Sequence, residues 1–112
     1  MAFINEWVEE NDEREFAIPG YRKPYTPTMW TIDRERNVIL FEYANGGEYL
    51  PDLFKFALVV NDKIYCYEMG RYIKGNNITW RGGFGTKRND IQYTKEVDEL
   101  FKEALKVYGD CG

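Results

Sequence analysis

The stretch from Leu53 to Met69 constrains the fold most, because its pattern is that of two β-strands joined by a tight turn. Apolar side chains occupy every second position from Phe54, and a second such run follows Asn61-Asp62. Asparagine and aspartate both tolerate the positive φ angles of a primed turn, so this pair predicts a two-residue hairpin loop. The turn fixes the register, which places the following residues opposite each other: Phe54 and Met69, Lys55 and Glu68, Phe56 and Tyr67, Ala57 and Cys66, Leu58 and Tyr65, Val59 and Ile64, Val60 and Lys63.

Other segments have the same strand period. Met29 to Asp33 and Val38 to Tyr43 flank a turn over Arg34 to Asn37, and shorter strand segments are predicted at Arg71 to Ile73 and Ile78 to Arg81. We expect a bulge at Gly70, where the hairpin ends, and a flexible stretch at the glycines that follow Arg81. Antiparallel pairing of these consecutive strands predicts a β-meander.

Helical periodicity occurs at both ends of the chain. From Thr94 the period changes to 3.6, with Thr94 suited to cap the helix and Gly109 suited to end it. The spacing of Phe3, Ile4, Trp7 and Val8 predicts a short amphipathic helix over residues 3–10. Prolines make residues 19–28 a stiff loop. The apolar stripe of the C-terminal helix consists of Val97, Leu100, Phe101, Ala104, Leu105 and Tyr108.

These patterns predict a single α+β domain over residues 1–112. It contains an antiparallel β-meander sheet of about five or six strands, with the C-terminal amphipathic helix packed on one face and a short N-terminal helix. The central hairpin has a larger, aromatic face that includes Phe56 and Tyr67, and a smaller face that includes Cys66. We expect the C-terminal helix to cover the aromatic face, which leaves the other face to the N-terminal segment or to a partner.

The absence of histidine excludes several classes of function. Ser/His and Cys/His nucleophilic catalysis, imidazole proton transfer and most zinc sites require that ring, and serine is absent too. The two cysteines, Cys66 and Cys111, have no C-x-x-C spacing, and Cys66 reads as a core residue rather than a nucleophile. We therefore expect no catalytic residues, no metal and no cofactor, and hence a protein that is not an enzyme.

The beginning of the chain lacks the basic start and the apolar block of a signal peptide, and the longest apolar run is ALVV. These features predict a cytoplasmic protein without a membrane-spanning segment. The sequence leaves the oligomeric state open.

Acidic residues are concentrated near the N-terminus. Residues 1–18 carry six acids against one base, a net charge of −5, whereas the whole chain has −4. Dense negative charge speeds association with a basic partner and adds specificity. Tyr21 and Tyr25 in the proline-rich loop are further interface candidates, because rigid aromatic loops lose little entropy on binding. The predicted partner-binding residues are Glu9, Glu10, Asp12, Glu13, Glu15, Tyr21 and Tyr25.

The segment from Tyr72 to Arg88 mixes aromatic, basic and glycine residues. Single-stranded nucleic acid is bound by such combinations, since bases stack on aromatic rings and basic side chains neutralise phosphates. The alternative interpretation is a hairpin whose Trp80 packs inward, and we favour that interpretation. If the segment does bind nucleic acid, the predicted residues are Arg71, Lys74, Trp80, Arg81 and Lys87.

The whole arrangement resembles the immunity proteins that bacteria pair with secreted or contact-delivered toxins. The resemblance covers architecture and charge: the acidic residues Glu9 to Glu15, the strands with Trp30 to Asp33 and Phe54 to Val60, and the helix Leu100 to Tyr108. It implies a protein that binds one basic toxin domain tightly and neutralises it, either at the toxin's active site or elsewhere on its surface.

Overall fold

Six strands form one antiparallel sheet in the computed structural model, and each strand lies beside its neighbours in sequence. The structure describes residues 2–12, 14–75, 77–85 and 93–109. The predicted α+β class, antiparallel sheet and C-terminal helix are confirmed. The elements in chain order are β1 (Ile4–Trp7), β2 (Met29–Asp33), β3 (Val38–Gly46), β4 (Leu50–Val60), β5 (Lys63–Lys74), β6 (Asn77–Gly85) and α1 (Lys95–Gly109).

The β4–β5 hairpin has the predicted register at every pair from Phe54–Met69 to Val60–Lys63. Asn61 and Asp62 have φ angles of 49° and 69°, which are the left-handed values that a primed turn requires. The side chains of Lys55 and Glu68 lie opposite each other with 3.9 Å between Nζ and Oε1. Turn chemistry and strand period therefore sufficed to specify this pairing.

Helix α1 packs on the aromatic face of the sheet, as expected, and we call this side the helix face. Phe101 is the central contact, because its ring stacks on Tyr67 with 3.8 Å between centroids and meets the edge of Phe56 at 6.1 Å. Thr94 caps the helix by accepting the Val97 N–H at 3.2 Å. The buried residues of the helix face are Phe3, Val38, Leu40, Phe56, Leu58, Tyr65, Tyr67, Met69, Val97, Phe101, Ala104 and Leu105.

The opposite side, which we call the loop face, is covered by the chain between β1 and β2. Phe16 and Tyr25 exchange two backbone hydrogen bonds, of 2.9 and 2.8 Å, and so close a loop over the sheet. Pro19 and Gly20 form the turn of this loop, where Gly20 has a φ of 88° and the Tyr21 N–H donates to Ile18 O. The buried residues of the loop face are Phe16, Ile18, Trp30, Ile32, Ile39, Phe41, Ala57 and Val59. Intrachain segments thus cover both faces of the sheet.

The predicted N-terminal helix is wrong, because Ile4–Trp7 form the edge strand β1, which pairs antiparallel with β2. A helix as short as residues 3–10 is marginal on its own, whereas a strand here gains ladder hydrogen bonds to β2. Asn5 adds two side-chain bonds: its amide donates to Val107 O at 2.8 Å, and its oxygen accepts the Thr31 hydroxyl. Only Phe3 of the predicted apolar stripe is buried in the core.

The C-terminal half of the sheet is longer than the sequence pattern predicts. Strand β5 runs through Gly70 without interruption, and β6 includes the glycines that follow Arg81. The register shift lies elsewhere: Glu68 pairs with Phe84 and Met69 with Gly82, so Gly83 is the additional residue. Beyond the last pair of β6, the Tyr93 hydroxyl donates to Cys66 O and accepts the Cys66 N–H, both at 2.9 Å. One side chain thereby satisfies both backbone groups of Cys66.

The turn between β2 and β3 is held by a buried carboxylate. Asp33 accepts the Glu35 and Arg36 N–H groups at 3.1 and 3.3 Å, and Arg36 Nε at 2.7 Å. Arg36 also forms an ion pair with Glu103 of α1 and lies over the Phe3 ring. Asp33 therefore orients the side chain that ties this turn to the helix.

Stability should depend on the ionisation of Asp33. The hydrogen bond from Arg36 is the main cause that lowers the Asp33 pKa below its ordinary value of 3.8. Because the folded-state pKa is depressed, the stabilisation exists above pH 3.8 and disappears as the pH falls through the folded-state pKa. We expect Asp33→Asn to lower the urea midpoint at pH 7, and the difference from the wild type to shrink below pH 3.8. The exposed Asp52→Asn is the control, and a pH-independent difference for Asp33→Asn would contradict this assignment.

Candidate protein-binding surface

The acidic segment leaves the sheet at its β1 edge. A turn follows β1, in which the Asp12 N–H donates to Glu9 O at 2.9 Å and Asp12 Oδ1 accepts the Arg14 N–H at 3.2 Å. Glu9, Glu10 and Glu15 are exposed, while Asp12 is half-buried. Glu13 lies outside the described residues. The structure therefore brings most of the predicted acidic residues to one border of the molecule.

Arg34 neutralises part of this charge. Both carboxylate oxygens of Glu6 accept hydrogen bonds from Arg34, and Oε1 also accepts Trp30 Nε1 at 2.9 Å. Arg34 is the largest cause that lowers the Glu6 pKa, followed by Trp30. The negative charges of Asp12 and Glu9 add to the effects that raise the Arg34 pKa. Glu6, Glu9 and Asp12 thus surround one arginine, and the surface remains acidic because the acids outnumber it.

Arg14, the base within the acidic segment, contacts aromatic rings of the loop face. Its guanidinium carbon lies 5.6 Å from the ring centroids of both Phe16 and Trp30. Such cation–π contacts hold the side chain against the protein. Arg14 therefore anchors the acidic segment to the loop face.

Trp7 lies at the same border and is 76% exposed, and Ile4 of the same strand is 51% exposed. Sequence reasoning missed Trp7 as a surface residue, because it assigned the side chain to the buried stripe of a helix. If Ile4–Trp7 is interpreted as a strand, Ile4 and Trp7 point to opposite faces of the sheet, because successive side chains of a strand alternate between the two faces. Trp7 precedes the exposed Glu9 and Glu10 in the sequence, and tryptophan is among the residues enriched in protein interfaces.

The two tyrosines of the proline-rich loop have different environments. Tyr25 is half-buried, stacks on Phe41 with 5.5 Å between ring centroids, and donates its hydroxyl to Glu42 O at 3.2 Å. Tyr21 is 52% exposed and meets the edge of the Tyr43 ring at 5.7 Å. Tyr25 therefore packs in the loop face, whereas the Tyr21 side chain is exposed and accessible to a partner.

The basic segment predicted for nucleic acid is only partly described. Arg71 lies over the Phe54 ring at 4.5 Å from its centroid, and its Nε is buried beside the half-buried Glu42. Desolvation raises the Glu42 pKa, and the nearby charge of Arg71 opposes that effect. The side chains of Lys74, Trp80 and Arg81 and the whole of Lys87 lie outside the described part of the chain. Arg71 is therefore the one predicted nucleic-acid-binding residue whose side chain the structure describes, and it packs against Phe54 on the helix face.

One open groove of about 320 Å³ lies between the β2–β3 turn and α1. It is lined by Arg36, Glu96, Glu99, Leu100 and Glu103. The residues that the structure describes contain no group of three or more acidic or cysteine side chains arranged to hold a metal ion. Within the same residues, no helix is long and apolar enough to cross a membrane. The groove therefore contains the Arg36–Glu103 ion pair and further carboxylates.

Comparisons with protein-family models, curated proteins and solved structures find no match to this chain. Its function is therefore inferred from the arrangement of its own residues.

Proposed function

We propose that this protein is a non-enzymatic binding module whose acidic β1 border meets a basic protein partner. The form of this function that we favour is a cytoplasmic immunity protein that neutralises a cognate toxin domain. The observation that supports it is the 76% exposure of Trp7 at the end of β1 that leads into the exposed Glu9 and Glu10. A large aromatic side chain supplies contact area, while the surrounding charge accelerates encounter with a basic surface.

The charge of the border can be tested with matched variants. The protein encoded by the reading frame immediately upstream of the gene is the partner to use, because toxin and immunity genes are expected to be neighbours. Reversal of Glu9, Glu10 and Glu15 to lysine should slow association with that protein by about 10- to 100-fold at low salt. Stopped-flow or surface-plasmon measurements give the association rate.

The control variant reverses three other exposed acids, Glu48, Glu96 and Glu99, and so changes the net charge equally. We expect its association rate to stay within about threefold of the wild type, because these residues belong to the β3–β4 connection and to α1 rather than to the acidic segment after β1. Equal slowing by both variants would mean that only net charge matters. That result, or no binding to the upstream-encoded protein by the wild type, would contradict the proposed function.

A further inference from the structure

The outer edge of β1 has backbone groups that point away from β2, and one hydrogen bond identifies the residues to which they belong. The Val8 N–H donates to Thr28 O at 2.9 Å, and the neighbouring pair in the register is Trp7 with Met29. In antiparallel strands, residues alternate between those that bond to the partner strand and those whose N–H and C=O point away from it. Because Val8 bonds inward, Glu6 does so too, whereas Asn5 and Trp7 direct their backbone groups away from β2.

No other strand lies on that side of β1 in the described part of the chain, since β1 is the first strand of the sheet. Helix α1 approaches β1 through the Asn5 side chain, whose amide donates to Val107 O. That contact lies on the helix face, because Asn5 pairs with Thr31, which in turn pairs with Leu40 of the helix-face core. In the described part of the chain, the helix therefore meets β1 on one face rather than beside its outer edge.

Natural proteins protect sheet edges with proline, charged side chains such as lysine, or a covering loop, or they keep the edge strand very short. Strand β1 is short and includes Glu6, but its sequence Ile-Asn-Glu-Trp contains neither proline nor lysine, and Ile4 and Trp7 are both more than half exposed. An open edge that carries an exposed tryptophan provides main-chain hydrogen bonds for affinity and a side chain for specificity.

The charge around the edge identifies the kind of strand that would fit. Exposed Glu9 and Glu10 follow Trp7 directly, and Asp12 and Glu15 lie further along the same segment. A second copy of this chain carries the same acids after β1 and the same net charge of −4, so it does not supply the complementary charge. An extended segment rich in lysine or arginine has the complementary charge.

We propose that the β1 edge receives an extended basic segment of the partner, which adds to the sheet as a further strand beside β1 and contacts Trp7. This inference rests on the proposed function, because it specifies how the same border binds. The partner's backbone bonds to Asn5 and Trp7, and its basic side chains meet the acids that follow β1.

Amide hydrogen exchange tests the pairing residue by residue. The probe is a synthetic, end-blocked peptide of alternating lysine and valine, added to the full chain, and the control peptide alternates glutamate with valine. We expect the basic peptide to slow exchange at Asn5 and Trp7 by about tenfold at saturation, while Glu6 is unchanged because it already bonds to β2. Equal or no protection at these three amides would overturn strand addition.

Two substitutions at one position separate the side chain from the backbone. Trp7→Ala removes the ring, whereas Trp7→Pro also removes the outward N–H without touching a bond to β2, and edge strands tolerate proline. For the upstream-encoded protein we expect Trp7→Ala to raise Kd by about tenfold, and Trp7→Pro by roughly a further five- to tenfold. Thermal unfolding of both variants checks that the fold is retained.

The outcomes distinguish this inference from the proposed function. If the charge-reversed border variant binds the upstream-encoded protein poorly but Trp7→Pro binds as well as Trp7→Ala, the border is the binding site and strand addition is wrong. If neither set of substitutions affects binding, the proposed function fails as well. Concentration-dependent protection of Asn5 and Trp7 without peptide, together with a dimer in sedimentation experiments, would assign the edge to a second copy and overturn the inference.

Discussion

Replacement of Phe101 by alanine is expected to lower the free energy of unfolding by about 3–5 kcal/mol, the usual cost of a large-to-small change at a buried aromatic residue. Phe101 is 3% exposed, stacks on Tyr67 and meets the edge of Phe56, so its removal opens a cavity where α1 meets the sheet. Domains of this size have a total stability of about 5–15 kcal/mol, so the loss is a large fraction of the whole. Urea unfolding followed by circular dichroism measures it.

The control for Phe101→Ala is Lys102→Ala, which changes the next residue of the same helix on its exposed side. We expect the control to change stability by less than about 0.5 kcal/mol. If Phe101→Ala costs less than about 1 kcal/mol, α1 does not depend on this contact for docking, and the assigned packing of the helix face is incorrect.

Replacement of Phe41 by alanine should have an effect of similar size on the opposite side of the sheet. Phe41 is fully buried, with the Phe16 ring at 4.9 Å and the Tyr25 ring stacked at 5.5 Å. We expect a loss of about 3–5 kcal/mol, measured in the same urea experiment. The loop that these three rings hold should also detach locally before the sheet unfolds, because its attachment to the loop face depends on them.

Limited trypsin digestion separates this local effect from global destabilisation. Arg22 lies in the loop and is exposed, so faster cleavage there reports opening of the loop. We expect Phe41→Ala to accelerate cleavage at Arg22 more than Phe101→Ala does under equally native conditions. Tyr21→Ala is the control within the loop, since that side chain is 52% exposed and its removal should leave most of the packing intact. Equal cleavage rates for the two core variants would mean that the loop opens only with the whole domain.

Segments of the chain pack on both faces of the sheet, which limits where another protein can bind. The sequence predicted that one face would be left to the N-terminal segment or to a partner, and the structure shows Phe16, Ile18 and Tyr25 packed there. The partner that the proposed function requires would therefore meet sheet borders and surface loops rather than an open sheet face. This explains why the proposed function depends on β1 and the residues after it, and not on the aromatic residues of the central hairpin.

Local patterns were reliable where neighbouring residues supply the information. The hairpin register follows from Asn61-Asp62 and the alternation around it, and α1 follows from an apolar stripe of period 3.6 with Thr94 at its start. The predicted acids Glu9, Glu10 and Glu15 are exposed as expected, because charged side chains remain hydrated unless a partner compensates their burial.

The errors occurred where a distant residue decides the structure. Residues 3–10 have helical spacing, but Asn5 bonds to Thr31 and to Val107, which are 26 and 102 positions away in the sequence. Those bonds and the β2 ladder outweigh a weak local helical preference. The same long-range pairing places Trp7 on the surface and β1 at the sheet edge, so the sequence pattern of residues 3–10 did not predict that Trp7 is exposed.

The sequence by itself determined the α+β class, the central hairpin and the C-terminal helix, since turn residues and hydrophobic period act over a few positions. Only the tertiary structure decided which segment covers the loop face, that β1 is a strand, and which of its backbone groups point outward. Those features depend on the contacts that β2 and α1 make with the N-terminal residues. The free energy of these contacts is larger than the local conformational preference of so short a segment.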